Sequence, residues 1–207
     1  MNKYDIVFID IDDTLNPSNG KVSKKTKDVM TKLKKKGIKV VVNTGRSLSY
    51  AINKAKEANL SEYVIASNGT EVYNYKENKV IFSKPIDKKY IKRIYKYCKT
   101  HDMTLILNSL DKRFISNPNY SYNSEPGIYF DNIDQVLKEN EVNQLVLLSS
   151  NFDRMLIIPN MLKEKIPYLK IIHSSKDLVE ENREMNHQKE YYHDIVLGNT
   201  SKCSGIV

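Results

Sequence analysis

Acidic and hydroxyl side chains follow the first apolar run of the chain, which covers residues 6–9 and is typical of a strand buried on both faces. They are Asp10, Asp12, Asp13 and Thr14. A buried, unpaired carboxylate is costly and neighbouring carboxylates repel one another, so this cluster needs a positive partner. A hard divalent cation with oxygen ligands would serve. The alternative is a strand that ends in an acidic turn or helix N-cap, where Asp12 or Asp13 accepts hydrogen bonds from backbone N–H groups.

A second group that could do chemistry follows the strand predicted over residues 38–43. Thr44, Gly45 and Arg46 stand between this strand and a helix that passes through Ala51 and Ala58. A hydroxyl group and backbone N–H groups at such a junction can bind a phosphate, and glycine lets the backbone approach it closely. The alternative is that Thr44 only caps the helix.

The elements around these residues alternate between strand and helix. A helix is predicted over residues 23–36, closed by Gly37, and a third strand over residues 63–66. This order predicts a parallel sheet with right-handed crossovers. Because ligands bind at the carboxyl ends of such strands, Asp10 and Thr44 should lie at one site.

The third strand ends in Asn68-Gly69, which is typical of a tight turn and precedes a predicted hairpin over residues 71–82. After residue 84 the pattern changes to strands with intervening helices. The predicted elements are helices at 87–101, 133–139 and 152–166, and strands at 103–108, 112–116, 144–149, 169–173 and 191–197. The four histidines show no metal-ligand spacing, so they are expected to be packing or surface residues.

Four stretches of the chain together resemble the Cof-type branch of the haloacid dehalogenase-like phosphohydrolases. They are Asp10-x-Asp12-x-Thr14-Leu15, the run 41–46 ending in Thr44-Gly45-Arg46, Asn68-Gly69 after the third strand, and Thr200-Ser201-Lys202. The resemblance implies an α/β fold, with a Rossmann-like parallel-sheet core and an inserted α/β cap domain. The implied bounds are 1–83 for the core, 84–190 for the cap and 191–207 for the return to the core. Residues 117–125 would form the cap rim that faces the substrate.

The resemblance also implies a Mg²⁺-dependent phosphatase of small phosphorylated metabolites, such as sugar phosphates, that works through an aspartyl-phosphate. Asp10 would be the nucleophile and Asp12 the general acid and base. Asp10 and Asp12 would hold Mg²⁺, the latter through its backbone carbonyl. The phosphoryl group would be bound by Thr44, Gly45, Arg46 and Lys202, and Asn68 would lie on the substrate side. The alternative interpretation, which does not use the resemblance, is that Lys202 is an ordinary surface lysine and Asn68 an ordinary turn residue.

The chain departs from the family pattern after Lys202. The fourth motif, Gly-Asp-x-x-x-Asn-Asp, which supplies further acids to the metal, does not occur in the 207 residues. Mg²⁺ would then bind weakly, and the first strand would be an exposed apolar edge that could mediate self-association. The alternative function is therefore a catalytically weak or silent relative that binds a phospho-ligand or a partner protein.

Composition limits the remaining classes. The net charge is +8, from 33 Lys and Arg against 25 Asp and Glu, which could suit a nucleic acid. The lysines are spread along the chain, so no nucleic-acid partner is expected. No apolar run approaches a membrane span and no signal peptide is visible, so a cytoplasmic protein is expected. Cys98 and Cys203 are too few for a disulfide framework.

Overall fold

The computed structural model describes residues 4–15, 21–120, 125–173, 184–185, 188–189 and 191–206. The chain divides into two compact units. Unit 1 comprises Met1–Ser83 and Thr200–Val207, and unit 2 comprises Lys84–Asn199. Among the described residues, no helix combines the length and the apolar character needed to span a bilayer. The fold is mixed α/β, as predicted.

Unit 1 is built on one five-stranded sheet in which the strands follow their order in the chain. The elements are β1 (Ile6–Ile9), α1 (Lys24–Lys35), β2 (Lys39–Asn43), α2 (Leu48–Glu57), β3 (Tyr63–Ala66), β4 (Glu71–Asn74) and β5 (Lys79–Ser83). The first three strands pair in parallel, and the last two form an antiparallel hairpin. The carboxyl ends of β1 and β2 therefore lie at the same edge of the sheet.

The two crossover helices begin at serine caps. Ser23 accepts a hydrogen bond from the Thr26 N–H at 3.0 Å, and Ser47 accepts one from the Tyr50 N–H at 3.4 Å. Each cap satisfies one of the backbone donors that a helix start leaves unpaired. The predicted helix over residues 23–36 is confirmed, and it ends before Gly37, which has a φ of +76°.

Strand β1 lies at one edge of the sheet in the described part of the chain, with β2 as its neighbour. Its side chains Ile6, Val7 and Phe8 are 48%, 37% and 38% exposed. The exposed apolar edge expected from the sequence is confirmed, whereas burial on both faces, which the apolar run suggested, is not found. Self-association through this strand stays a prediction.

Unit 2 has a six-stranded sheet with three helices. The elements are α3 (Lys88–Thr100), β6 (Thr104–Asn108), β7 (Arg113–Ile115), β8 (Ile128–Tyr129), α4 (Ile133–Glu139), β9 (Gln144–Ser149), α5 (Phe152–Lys165), β10 (Leu169–His173), the short pair β11 (Glu184–Met185) and β12 (Gln188–Lys189), and β13 (Tyr191–Leu197). The order is β10-β13-β9-β6-β7-β8, and the apolar faces of the helices share one core with this sheet. Residues 121–124 of the expected cap rim lie outside the described residues.

The boundary predicted between cap and core needs correction. The return to the core was expected at residue 191, but β13 pairs with β9 and β10 in the sheet of unit 2. Its alternating buried residues, such as Ile195, complete that core. The chain returns to unit 1 at Thr200.

Candidate active site

Asp10 lies one residue beyond the end of β1 and contacts a lysine from the far end of the chain. Its Oδ1 atom accepts a hydrogen bond from the Ile11 N–H at 2.8 Å, and its Oδ2 atom accepts one from Lys202 Nζ. The two side chains are both partly exposed. The sequence motifs that contain Asp10 and Lys202 therefore meet at one place, although 192 positions separate them.

The turn after Asp10 is anchored by two fully buried side chains, Ile11 and Leu15. The Leu15 N–H donates to the Asp10 carbonyl oxygen at 3.3 Å, and Asp13 adopts a left-handed φ of +55°. Because both ends of the turn are held in the core, Asp10 and Asp12 project from a fixed stretch of backbone.

Asp12 is bound by Arg46 through two parallel hydrogen bonds. Arg46 Nε donates to Asp12 Oδ2 at 2.9 Å, and Arg46 Nη2 donates to Asp12 Oδ1 at 3.0 Å. This bidentate geometry orients a carboxylate more strongly than a single contact does. The sequence predicted Arg46 at the phosphate site, but it did not indicate this pairing with Asp12.

Thr44 is 1% exposed and begins the loop between β2 and α2. Its N–H donates to the Ile65 carbonyl oxygen at 3.0 Å, and its Oγ1 accepts from the Arg46 N–H at 3.2 Å. The hydroxyl proton can still be donated to a bound group. Gly45 follows, and a Cβ at this position would come within 2.8 Å of Asn68 Oδ1. A side chain at position 45 would therefore require the Asn68 side chain to shift.

Asn68 is 3% exposed and belongs to a turn of three left-handed residues, Ser67–Gly69. Their φ angles are +50°, +58° and +86°. Asn68 Oδ1 lies against Gly45, and the place of Asn68 on the substrate side stays a prediction. Gly69 allows the turn to approach Ser201, because a Cβ there would lie 2.9 Å from the Ser201 carbonyl carbon and closer still to its oxygen.

Lys202 begins a short 3₁₀ turn, Lys202–Gly205. The Ser201 N–H donates to Ser204 Oγ at 2.8 Å, and Asn43 Nδ2 donates to the Lys202 carbonyl oxygen at 3.0 Å. The segment is therefore tied to the end of β2. This contact holds the backbone from which the Lys202 side chain reaches Asp10.

Sequence reasoning missed one residue near this group, Glu71 at the start of β4. It has no exposed surface, and burial raises the pKa of its carboxyl from 4.5 to about 7. Ser67 Oγ donates to Glu71 Oε2 at 2.6 Å, and this hydrogen bond partly opposes the effect of burial. The signal in the sequence was an acid two residues after Asn68-Gly69, at the start of the predicted hairpin.

The residues at this site include oxygen donors of the type that binds a hard cation, but these donors are few. Among the residues that the structure describes, no three His, Cys, Asp or Glu side chains form a metal-binding group. The Asp10 carboxylate and the Asp12 backbone carbonyl are oxygen ligands of the kind that Mg²⁺ accepts. The positive charges that the structure shows beside the two acids are Lys202 and Arg46.

Among the curated proteins similar to this chain are two named "Putative phosphatase". One, from Buchnera aphidicola subsp. Baizongia pistaciae, is 34% identical over 122 residues, which cover 58% of this chain and 45% of the relative. The other, YxeH of Bacillus subtilis, is 27% identical over 181 residues, which cover 78% of this chain and 65% of the relative. The chain thus spans less than two thirds of the length of each.

A solved structure supports the fold. The sugar phosphatase BT4131, of subclass IIB of the HAD superfamily, superimposes on this chain with a TM-score of 0.73 and 18% identity. The superposition covers 97% of this chain and 73% of BT4131. The family described as haloacid dehalogenase-like hydrolase matches residues 7–207, nearly the whole sequence. We conclude that the chain belongs to the haloacid dehalogenase-like hydrolases.

Proposed function

We propose that this chain carries the catalytic residues of a phosphatase that acts on small phosphorylated metabolites, sugar phosphates among them. The contact between Asp10 and Lys202 carries the proposal. A carboxylate that attacks a phosphate needs a neighbouring cation to reduce the repulsion between two anions. The named function of the sugar phosphatase of similar fold supports the substrate class.

In the first step, a carboxylate oxygen of Asp10 attacks phosphorus and the bond from phosphorus to the ester oxygen breaks. Asp12 donates a proton to the leaving oxygen, so an alcohol departs and an aspartyl-phosphate forms on Asp10. In the second step, Asp12 takes a proton from water, and the resulting hydroxide attacks phosphorus. Inorganic phosphate then leaves and Asp10 is regenerated.

The other site residues bind the phosphoryl oxygens. Thr44 presents a hydroxyl group, Gly45 lets the loop approach the phosphate closely, and Lys202 presents a charge beside Asp10. Donors that are fixed before the reaction stabilise the charge that develops on these oxygens. Arg46 keeps Asp12 oriented through its two hydrogen bonds.

Magnesium is the proposed cofactor, held by the Asp10 carboxylate and the Asp12 backbone carbonyl. When bound, it would neutralise charge between the carboxylate and the phosphate. Because one side-chain carboxylate gives a weak site, water and substrate oxygens would supply the remaining ligands.

A second candidate function is the binding of a phospho-ligand without turnover. The bidentate pair between Asp12 and Arg46 favours it, because a carboxylate held by two charge-assisted hydrogen bonds is a poor proton donor. The same phosphate-binding residues would then serve recognition alone.

Hydrolysis of p-nitrophenyl phosphate with Mg²⁺ separates the two functions. We expect turnover by the wild type and loss of at least about a hundredfold in Asp10→Asn, because the nucleophile is removed. Asp5→Asn is the matched control, since Asp5 is an exposed acid at the other end of the same strand. Equal rates in the wild type and Asp10→Asn would refute the phosphatase function, and binding of phosphate without turnover would support the second candidate.

A further inference from the structure

The turn Ser67–Gly69 joins the two segments that carry the proposed phosphate-binding residues. The Ser67 N–H donates to the Arg46 carbonyl oxygen at 2.8 Å, and the Asn68 N–H donates to the Thr44 carbonyl oxygen at 3.1 Å. On its other side, Gly69 packs against the Ser201 backbone. The relative position of Thr44 and Lys202 thus depends on the shape of this turn.

That shape is unfavourable for the residues that adopt it. Ser67 and Asn68 are consecutive non-glycine residues with left-handed φ angles, a region that L-residues with a Cβ occupy at a cost. Strained backbone of this kind persists only where the surrounding structure over-determines it. Something beside the turn must therefore hold it.

Glu71 is the side chain that holds Ser67. Ser67 Oγ donates to Glu71 Oε2 at 2.6 Å in a fully buried contact, and Thr70 Oγ1 donates to the Ser67 carbonyl oxygen at 2.9 Å. The other carboxyl oxygen of Glu71, Oε1, is buried and has no hydrogen-bond partner among the described residues. A buried acid with one partner is an expensive choice, so its presence needs a reason beyond local stability.

We propose that Glu71 is a positioning residue for the phosphate site, which acts by holding Ser67 and thereby fixing the Thr44-Gly45 loop against the segment of Lys202. This inference rests on the proposed function of that site. The effect of Glu71 on the site passes through the turn that Ser67 begins.

Glu71 should produce a pH-dependent signal that a core residue with only a packing role would not produce. Burial raises the pKa of Glu71 to about 7, so the acceptor of the Ser67 hydroxyl changes between carboxylic acid and carboxylate near neutral pH. Glu71 is paired across the sheet with Ala66 and Ser83, neither of which titrates. The charged residues on the segments that touch the turn are Arg46 and Lys202, and all four histidines of the chain fall within the range of unit 2.

The experiment follows the NMR amide resonances of Gly45 and Asn68 in the full chain as a function of pH. It also measures the affinity of the protein for sulfate at pH 8, because sulfate does not titrate in this range. Cys203→Ser is used throughout to remove the exposed thiol. In the wild type, both resonances should shift with a midpoint near pH 7. In Glu71→Gln, which keeps an acceptor of the same size, that titration should vanish while sulfate affinity stays within about twofold.

Two further variants remove the hydrogen bond from either side. Glu71→Leu and Ser67→Ala should both displace the Gly45 and Asn68 resonances at every pH and weaken sulfate binding about tenfold. Ser67→Ala also keeps the test decisive if Glu71→Leu does not fold. Glu77→Gln is the control, because Glu77 is exposed in the turn between β4 and β5.

The outcomes separate this inference from the proposed function. Unchanged resonances and sulfate affinity in folded Ser67→Ala or Glu71→Leu would overturn the positioning role of Glu71. If the wild type binds no sulfate and hydrolyses no phosphate ester, the proposed function fails. Displaced resonances in the variants would, even then, support the coupling of Glu71 to the loop.

Discussion

Replacing Gly69 by alanine should damage unit 1 far more than the same change at Gly37. Both glycines have left-handed φ angles, +86° at Gly69 and +76° at Gly37, so each alanine meets the same backbone penalty of about 1 to 2 kcal/mol. A Cβ at Gly37 would have no atom within 4 Å. Gly37→Ala should therefore lower the free energy of unfolding by about that penalty alone.

At Gly69 a steric cost is added. The new Cβ would lie 2.9 Å from the Ser201 carbonyl carbon and closer to its oxygen, and both are backbone atoms that cannot rotate away. Overpacking of this kind costs a further 1 to 3 kcal/mol or so, which gives a total loss of about 2 to 5 kcal/mol. If the backbone of Ser201 moves to relieve the clash, Lys202 moves with it, and the contact with Asp10 is lost instead.

Hydrogen exchange at the amides of Val41 and Val42 measures this loss, because these residues lie in the buried centre of unit 1. Turnover of p-nitrophenyl phosphate reports the contact between Lys202 and Asp10. The reasoning is refuted if Gly69→Ala and Gly37→Ala lower protection equally and neither affects turnover. A loss of turnover with little loss of protection would show that the segment of Ser201 has moved.

Three further outcomes are expected. Lys202→Gln should lower the free energy of unfolding by less than about 1 kcal/mol, since its ion pair with Asp10 is partly exposed, but should reduce turnover by a hundredfold or so. Unit 1 should lose about 3 kcal/mol of stability as pH rises from 4.5 to about 7, because folding raises the pKa of Glu71 and favours its protonated form. Urea unfolding at several pH values should show this fall in stability. The Glu71→Gln variant should not show it. In the native protein a thiol reagent should modify Cys203 alone, because Cys98 is buried and burial raises its pKa to about 12; both should react in urea.

Each of these has a result that would contradict it. Lys79→Gln, another exposed lysine of unit 1, should leave turnover unchanged, and an equal loss there would remove the special role of Lys202. A stability profile that falls equally between pH 4.5 and 7 in the wild type and in Glu71→Gln would exclude Glu71 as the source of the slope. Rapid native labelling of both cysteines would contradict the burial of Cys98.

The element pattern was readable from the sequence because most elements have a strong period or clear boundary residues. Helix α3 was expected at residues 87–101 and occupies Lys88–Thr100, with Asp87 as its N-cap. Strand β13 was also expected, but its sheet was not. A β-branched and aromatic run fits any sheet with a matching edge, and pairing partners are set by tertiary packing that a pattern does not contain.

The sequence predicted which residues form the candidate site, but few of the contacts between them. Proximity of Asp10 and Thr44 follows from parallel strands, whereas Lys202 was expected there only through the family resemblance. The bidentate pair of Asp12 with Arg46 depends on side-chain directions in two turns. The contact between Ser67 and Glu71 depends on left-handed backbone at a serine, which residue preferences disfavour.

The meeting of Asp10 with Lys202 also sets an order of events during synthesis. Strands β1 to β5 leave the ribosome early and can pair at once, but Lys202 arrives only after all of unit 2 has been made. At translation speeds of about 5 to 20 residues per second, the early sheet must wait many seconds for its last contact. A nascent chain would therefore acquire its sheet long before Lys202 can reach Asp10.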